Sequence, residues 1–373
     1  MAQTDNREEG LQSRWSRLAS LIQLHHLDCL LAVGQRYATW LAGYHRYFGG
    51  LSACLLHPDG SVSLLVSPEE VQLAETRSSA KQVLAFGEPG FGLQLDSMSP
   101  LVESIRLLPE VRVAARVGTA GIDQRILAWD EGPEFLCFEH ELDVASRVKD
   151  DDEVAKIRHA YDLCWRGQSA VSEAAERGAS EIEMFTAAQA TAQVGHGTPI
   201  DFVADLLVGE RTADVCCPVA VAGSRRPAGG DWVVADIALG ADGYWGDTCR
   251  THLTPSTPRH VIDATAELER IRDVLADRLR PGAVAAELHE EMRQALLGSF
   301  PGATFPHHGG HGIGLTGFEY PHVIPGDESI LERGMILALE PGVYFRGQWG
   351  ARVEQLFQVT DGGGIELNQV TLS

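Results

Sequence analysis

The sequence predicts an α/β chain of two domains: a small α/β domain over residues 1–145, then an α+β domain with antiparallel sheet over residues 146–373. Three observations carry this. Helix and strand signals alternate up to residue 145; a polar joint, Arg147–Asp152 (RVKDDD), interrupts the apolar pattern; and beyond it lie two apolar hairpins, each with an acid pair at mirrored positions. A length of 373 residues is enough for two sizeable cores.

In the first domain, Leu11, Trp15, Leu18 and Ile22 recur at helical spacing. Asp28–Val33 reads as a buried strand, and Tyr37–Tyr47 is aromatic and followed by Gly49-Gly50. Leu51–Leu56 and Ser61–Val66 flank His57-Pro58-Asp59-Gly60, a hairpin turn. Pro68–Leu73 starts a helix, Lys81–Phe86 reads as a strand, and Val111–Ala115 and Val117–Ile122 read as further short strands. Nothing here has metal-ligand spacing; His45 and His57 read as turn or surface histidines.

In the second domain, the acids at 150–152 suit a helix N-terminus, and Val154, Ile157, Tyr161 and Cys164 continue at helical spacing. Ser180 and Glu183 form a capping box opening a helix over 181–194, which Gly195-His196-Gly197 ends. Asp263–Arg280 lies within a third helical pattern stopped by Pro281-Gly282, and Val284–Leu297 forms a fourth. His289-Glu290 is not a zinc-protease motif, because Arg293 stands where the second histidine belongs. No internal repeat shows, although the paired hairpins hint at duplication.

The apolar content of 44% is ordinary for a globular protein, and a net charge of −22 argues against nucleic acid or an anionic membrane as partner. Met1–Gly10 has no apolar core of a signal peptide, and no apolar run reaches the ~18 residues of a membrane span. Seven cysteines without framework spacing read as reduced thiols, hence a cytoplasmic protein.

The chemistry sits in the hairpins. Trp232–Leu239 is apolar except at Asp236, Gly240–Gly243 is a turn cluster, and Tyr244–Thr251 resumes as a strand. Asp236 and Asp247 have their midpoint inside the turn, so an unbulged hairpin centred there opposes them directly. Met335–Tyr344 and Ala351–Thr360 flank the loop Phe345–Gly350, and Glu340 and Glu354 have their midpoint at Gly347. Between the hairpins, Pro306–Gly317 (PHHGGHGIGLTG) can add a histidine. Facing carboxylates repel, and four of them with an imidazole suit two divalent ions about 3.5–4 Å apart.

The segment ending in GYWGDTCRT, with GHGIG, ALEPGVY and RVE, resembles the metal-site signatures of the pita-bread peptidases. That family includes aminopeptidase P, prolidase, methionine aminopeptidase and creatinase. Residues 1–145 resemble the amino-terminal domain of the creatinase and aminopeptidase P branch. The resemblance implies a creatinase-type domain followed by a pita-bread domain, and two Mn, Co, Zn or Fe ions. Their ligands are Asp236, Asp247, His311, Glu340 and Glu354. Asp247 and Glu354 would bridge, Asp236 would hold one ion, and His311 and Glu340 the other. It further implies Glu340 as proton shuttle, Arg352 orienting Asp247 or Glu354, and a homodimer whose first domain supports assembly and walls the site mouth.

The chain departs from the family at two places. Phe318 stands where the peptidases carry a histidine, and Pro218-Val219-Ala220 lacks a second one. His307 matches an upstream histidine of the prolidase branch, and His322, four residues past Phe318, reads as a rim residue; all three are expected to contact substrate. Cys249 reads as packing behind the site and Cys216-Cys217 as a buried strand pair. The expected function is a two-metal hydrolase of the Xaa-Pro aminopeptidase or prolidase kind, acting on a small peptide or small-molecule amide. The alternatives are a creatinase-like C–N hydrolase of a small non-peptide substrate, a two-metal site diverted to biosynthetic or oxidative chemistry, and a non-catalytic binding protein on this fold.

Overall fold

The structure, a computed structural model, describes residues 2–90, 97–214 and 221–367. The chain divides into two compact units, residues 1–146 with 150–152, and residues 147–149 with 153–373.

In the first unit, helix α1 (Ala2–Leu24) buries Leu11, Leu18 and Ile22, the stripe its spacing predicts. There follow β1 (Cys29–Val33), α2 (Gln35–Ala42), β2 (Ala53–Leu56), β3 (Val62–Val66), α3 (Val71–Arg77), β4 (Gln82–Ala85), α4 (Met98–Leu107), α5 (Pro109–Val113), β5 (Arg116–Ala120), α6 (Gln124–Leu127), β6 (Glu134–Cys137) and α7 (Glu139–Arg147). The strands form one mixed sheet in the order β4-β3-β2-β1-β5-β6. Strand β1 is fully buried, antiparallel to β2 and parallel to β5. The expected strand over 111–115 is instead the end of a helix. Pro109 occupies the first helical turn after an extended Leu108, and its fixed φ starts α5 there. Of the three acids at 150–152, Asp150 pairs with the buried Arg14, at 2.6 Å from Nη2.

The second unit contains α8 (Asp151–Glu176), α9 (Glu181–His196), β7 (Asp201–Val208), β8 (Val233–Ala241), β9 (Tyr244–His252), α10 (Arg259–Ala276) and α11 (Ala285–Ser299). After them come β10 (His311–Gly312), β11 (Glu319–His322), β12 (Ile336–Leu339), β13 (Gly342–Phe345), β14 (Trp349–Arg352), β15 (Gln355–Thr360) and β16 (Gly363–Glu366). Every described ladder here is antiparallel. Helices α8 and α9 pack Leu163, Met184 and Ala188 on the β7-β8-β9 sheet, through Leu206, Ile237 and Leu239. Helices α10 and α11 pack Leu268, Ile271 and Met292 against Leu337, Leu339 and Phe357 of the β11-β10-β12-β15-β16 sheet. Each half is therefore a helix pair on an antiparallel sheet.

Glu183 Oε2 accepts from the Ser180 amide at 2.7 Å, the capping box that opens α9, and Gly197 closes the helix at φ +87°. The third helical pattern ends at Ala276 rather than at Pro281. Gly246 on β9 lies under α8: a Cβ there would stand 2.4 Å from the Tyr161 nitrogen, so only glycine lets helix and strand close. Among the described residues, no helix is long and apolar enough to cross a membrane. Cys29, Cys54, Cys137, Cys164 and Cys249 are free.

Candidate metal centre

The first acid hairpin is shifted from its expected register. Asp242 and Gly243 both have positive φ, +51° and +81°, and Ala241 pairs with Tyr244. This is the two-residue Asp-Gly turn whose twist matches the strands, and it outcompetes a turn centred one residue earlier. Asp236 therefore opposes Cys249, and Asp247 opposes Ala238. The two aspartates are diagonal neighbours, not a directly opposed pair. They still share a face, because alternate residues and cross-strand partners do. Asp247 lies within hydrogen-bonding reach of Asp236. The opposite face of β8, through Val233, Ala235, Ile237 and Leu239, enters the core under α8 and α9.

The second hairpin keeps its expected register. Ile336 pairs with Gln358 and Phe345 with Trp349, so the ladder centres on Gly347 and mirrors Glu340 on Glu354. Regular pairing stops at these two glutamates. Pro341 has no N–H to donate, the Glu340 amide donates to the Gly309 carbonyl at 3.0 Å, and the Glu354 amide donates to the Cys249 carbonyl at 2.9 Å. Each glutamate is thus held by backbone from another element, which draws both hairpins and the 309–312 segment together. Gly310, at φ +154°, makes the crossing possible: a Cβ there would stand 2.0 Å from the Ala338 carbonyl oxygen.

The result is a buried cluster. His311 Nε2 lies 3.8 Å from Asp247 Oδ2, 3.8 Å from Glu340 Oε1 and 3.7 Å from Glu354 Oε1. One ligand atom from each of Asp247, His311 and Glu354 falls within 4.8 Å of the others. His311 Nδ1 is 2.8 Å from the Gly312 carbonyl, which assigns the proton to Nδ1 and leaves a lone pair at Nε2. Burial pushes its pKa down to about 3, so the ring is neutral. Burial also holds the Asp247, Glu340 and Glu354 carboxyls well above the usual carboxylate range; neighbouring carboxylates add to this and the Arg352 guanidinium opposes it. Asp247 Oδ1, Glu340 Oε1 and Glu354 Oε1 are buried without a hydrogen-bond partner. Buried acceptors without donors are costly, and a cation among them removes the cost. The donor set, hard carboxylate oxygens with one imidazole, fits divalent first-row ions.

Arg352 is placed differently from expectation. Its Nη2 lies 2.5 Å from Asp236 Oδ2 and 3.4 Å from Asp205 Oδ2, so it orients Asp236 rather than Asp247 or Glu354. The physical reason is the neighbouring strand: β7 sets Asp205 opposite Asp236, and the guanidinium bridges that acid pair. Cys249 is buried, receives Arg352 Nε at 3.4 Å, and packs with Trp232, Val234 and Val261. His307 has both ring nitrogens engaged inside the protein, Nδ1 with the His308 carbonyl at 2.7 Å and Nε2 with the Tyr344 hydroxyl at 3.0 Å. Phe318 is 62% exposed, with its ring centroid 4.5 Å from that of His311. His322 is the cross-strand partner of His311, and its ring lies edge-on to Tyr320 at 4.6 Å. Cys216-Cys217 and Pro218–Ala220 lie outside the described residues.

Three residues escaped the sequence reading. Asp205 had a signal, a lone acid in an apolar run like Asp236 in its own. Tyr344, whose hydroxyl meets both His307 and Arg352, sat in a motif that names no role for it. His308, with Nε2 3.3 Å from Glu340 Oε1, was hidden beside His307.

This fold and this cluster define a class. The model of metallopeptidase family M24 matches residues 155–361, and the chain belongs to that family. A Mycobacterium tuberculosis protein described as "Probable dipeptidase PepE" is 32% identical over 225 residues, which are 59% of this chain and 58% of the relative. The match thus spans little more than half of that curated relative. Among solved structures, a prolidase from Pyrococcus horikoshii OT3 superposes with a TM-score of 0.81 at 21% identity, covering 96% of this chain and 99% of that one. Dipeptidase PepE from Mycobacterium ulcerans gives a TM-score of 0.76 at 24% identity, covering 97% and 96%. These likenesses show the pita-bread fold: an amino-terminal domain followed by a carboxy-terminal domain with antiparallel sheet.

Proposed function

We propose that the protein is a two-metal hydrolase that cleaves an amide bond in a dipeptide or Xaa-Pro peptide. The observation that carries this is the set of buried carboxylate oxygens without donors, gathered around the Nε2 lone pair of His311. Asp236, Asp247, His311, Glu340 and Glu354 would together hold two divalent ions. When bound, such ions acidify water toward a pKa of ~7 and polarise a carbonyl oxygen. Family membership and the dipeptidase and prolidase names of the relatives support a peptide substrate.

The chain's own residues do the rest. Glu340 would take the proton of the attacking water and return it to the leaving amine. Arg352 holds Asp236 through a charge-assisted contact and fixes its aim. Phe318 covers the imidazole side of the cluster and offers an apolar wall to a substrate side chain. It supplies no hydrogen bond to a developing oxyanion, an omission worth on the order of 10²–10³ in rate. That omission favours a second reading, a small non-peptide amide as the natural substrate. The protein works as a homodimer in the cytoplasm.

The test is metal analysis of purified protein, followed by kcat/KM on dipeptides and Xaa-Pro peptides. About two ions per chain, lost in Asp247→Ala, and measurable dipeptide cleavage are expected. Metal-free protein from metal-replete cells would defeat the proposal. Phe318→His decides between the readings: a rise in Xaa-Pro cleavage marks a weakened peptidase, and no rise marks a site shaped for another amide. The second outcome is expected, because the position near Val219 also lacks a histidine. Light scattering that gives a monomer at micromolar concentration would remove the dimer.

A further inference from the structure

Two more imidazoles approach Glu340: that of His307, whose Nδ1 lies 3.6 Å from Oε2 but already meets the His308 carbonyl, and that of His308. His308 lies in the loop before β10, with Nδ1 3.3 Å from the Gly310 carbonyl oxygen and Nε2 3.3 Å from Glu340 Oε1. His311 repeats this arrangement, with Nδ1 on the Gly312 carbonyl and Nε2 3.8 Å from the same oxygen. In both rings the carbonyl contact assigns the proton to Nδ1, so Nε2 carries a lone pair. Glu340 Oε1 is itself an acceptor, and no hydrogen bond reaches it despite the 3.3 Å approach of His308. Two nitrogen lone pairs and a glutamate oxygen therefore converge, a group that only a bound cation or a proton taken up by Glu340 can relieve. A divalent cation at its centre satisfies all three acceptors at once, where a single proton can be shared by only two. Two donors on one ion, at ligand distances near 2.0–2.2 Å, stand about 3–4 Å apart, and the distances of 3.3 and 3.8 Å satisfy that. The His308 and His311 rings are 5.2 Å apart and tilted by 32°, and Phe318 lies against both.

We infer that His308 is a further ligand of the ion held by His311 and Glu340, giving that ion two imidazoles. The inference rests on the two-metal reading of the site. The second nitrogen shifts this position towards Zn, Co or Fe and away from Mn, which suits oxygen donors. It also takes up a coordination position that substrate or water would otherwise use.

X-ray absorption at the zinc edge of zinc-loaded protein tests this. Wild type is expected to show scattering from two imidazoles per ion pair, and His308→Ala from one. Zinc affinity should fall by more than the roughly 10–100-fold that a supporting residue costs, with manganese affinity changed less. His308→Gln serves as a second variant of nearer size. Zinc bound with the same imidazole scattering in wild type and variants overturns the His308 assignment alone. Zinc absent from wild type overturns the metal centre, and the assignment with it.

Discussion

Arg352 shows how one side chain sets the aim of another. Its guanidinium touches Asp236, Asp205, Cys249 and the Tyr344 hydroxyl, a planar fork spread over four partners. Lysine keeps the charge but not the fork. Arg352→Lys is therefore expected to keep the fold and to lower metal affinity on the order of 10–100-fold, read by calorimetric titration of the metal-free protein. Unchanged affinity would mean that Asp236 needs no support. At this scale the sequence was legible where a residue type carries its own chemistry. The lone acids in apolar strands and the GHGIG histidine read as ligand types, and the structure gathers Asp247, His311, Glu340 and Glu354 into one buried cluster. What Arg352 touches was not legible, because that depends on β7, a strand 147 residues away that aligns Asp205 with Asp236.

The two hairpins separate what pattern determines from what turn chemistry determines. Both centres were read from mirrored acids. The glutamate hairpin keeps that centre, because its longer loop turns about Gly347. The aspartate hairpin does not, because Asp242-Gly243 makes a two-residue turn and moves the pairing by one position on each strand. Mirrored acids are thus a weaker register signal than an Asp-Gly pair. Helix 109–113 teaches a similar lesson: its β-branched residues read as strand until Pro109 is weighed as a helix start. Gly243→Ala places a Cβ in the left-handed region and is expected to cost about 1–2 kcal/mol, measured by urea unfolding. A neutral substitution would show that the turn is not what holds this register.

For the whole molecule, metal loading is expected to raise stability. A ligand that binds only the folded chain adds about 2.7 kcal/mol when present at 100 times its Kd, so chelation should lower the unfolding midpoint and metal should restore it. A midpoint indifferent to both would mean the cluster binds nothing. Acid stability has a separate source in His252, whose ring sits against Gln168 Oε1 at 2.7 Å. Burial pushes its pKa down to about 3 from the ordinary 6.5. Below pH 6.5 the unfolded chain takes up a proton that the folded chain refuses, so stability falls as pH drops through this window and is unaffected above it. The slope from this one group is about 1.4 kcal/mol per pH unit. His252→Gln should flatten the acid limb of the stability curve by that amount, and an unchanged limb would assign the loss to other groups.

The backbone pairing of Glu354 with Cys249 has one more consequence. The same peptide unit that presents a candidate ligand also staples the aspartate hairpin to the glutamate hairpin. Any ion held by Glu354 would therefore be tied to the seam between two sheets, because moving that residue aside strains the backbone pairing. Deuterium uptake at the Glu354 amide should then report metal departure directly, slow in the loaded protein and quickened when the ions are stripped, while amides at the far end of the β8–β9 ladder keep their pace.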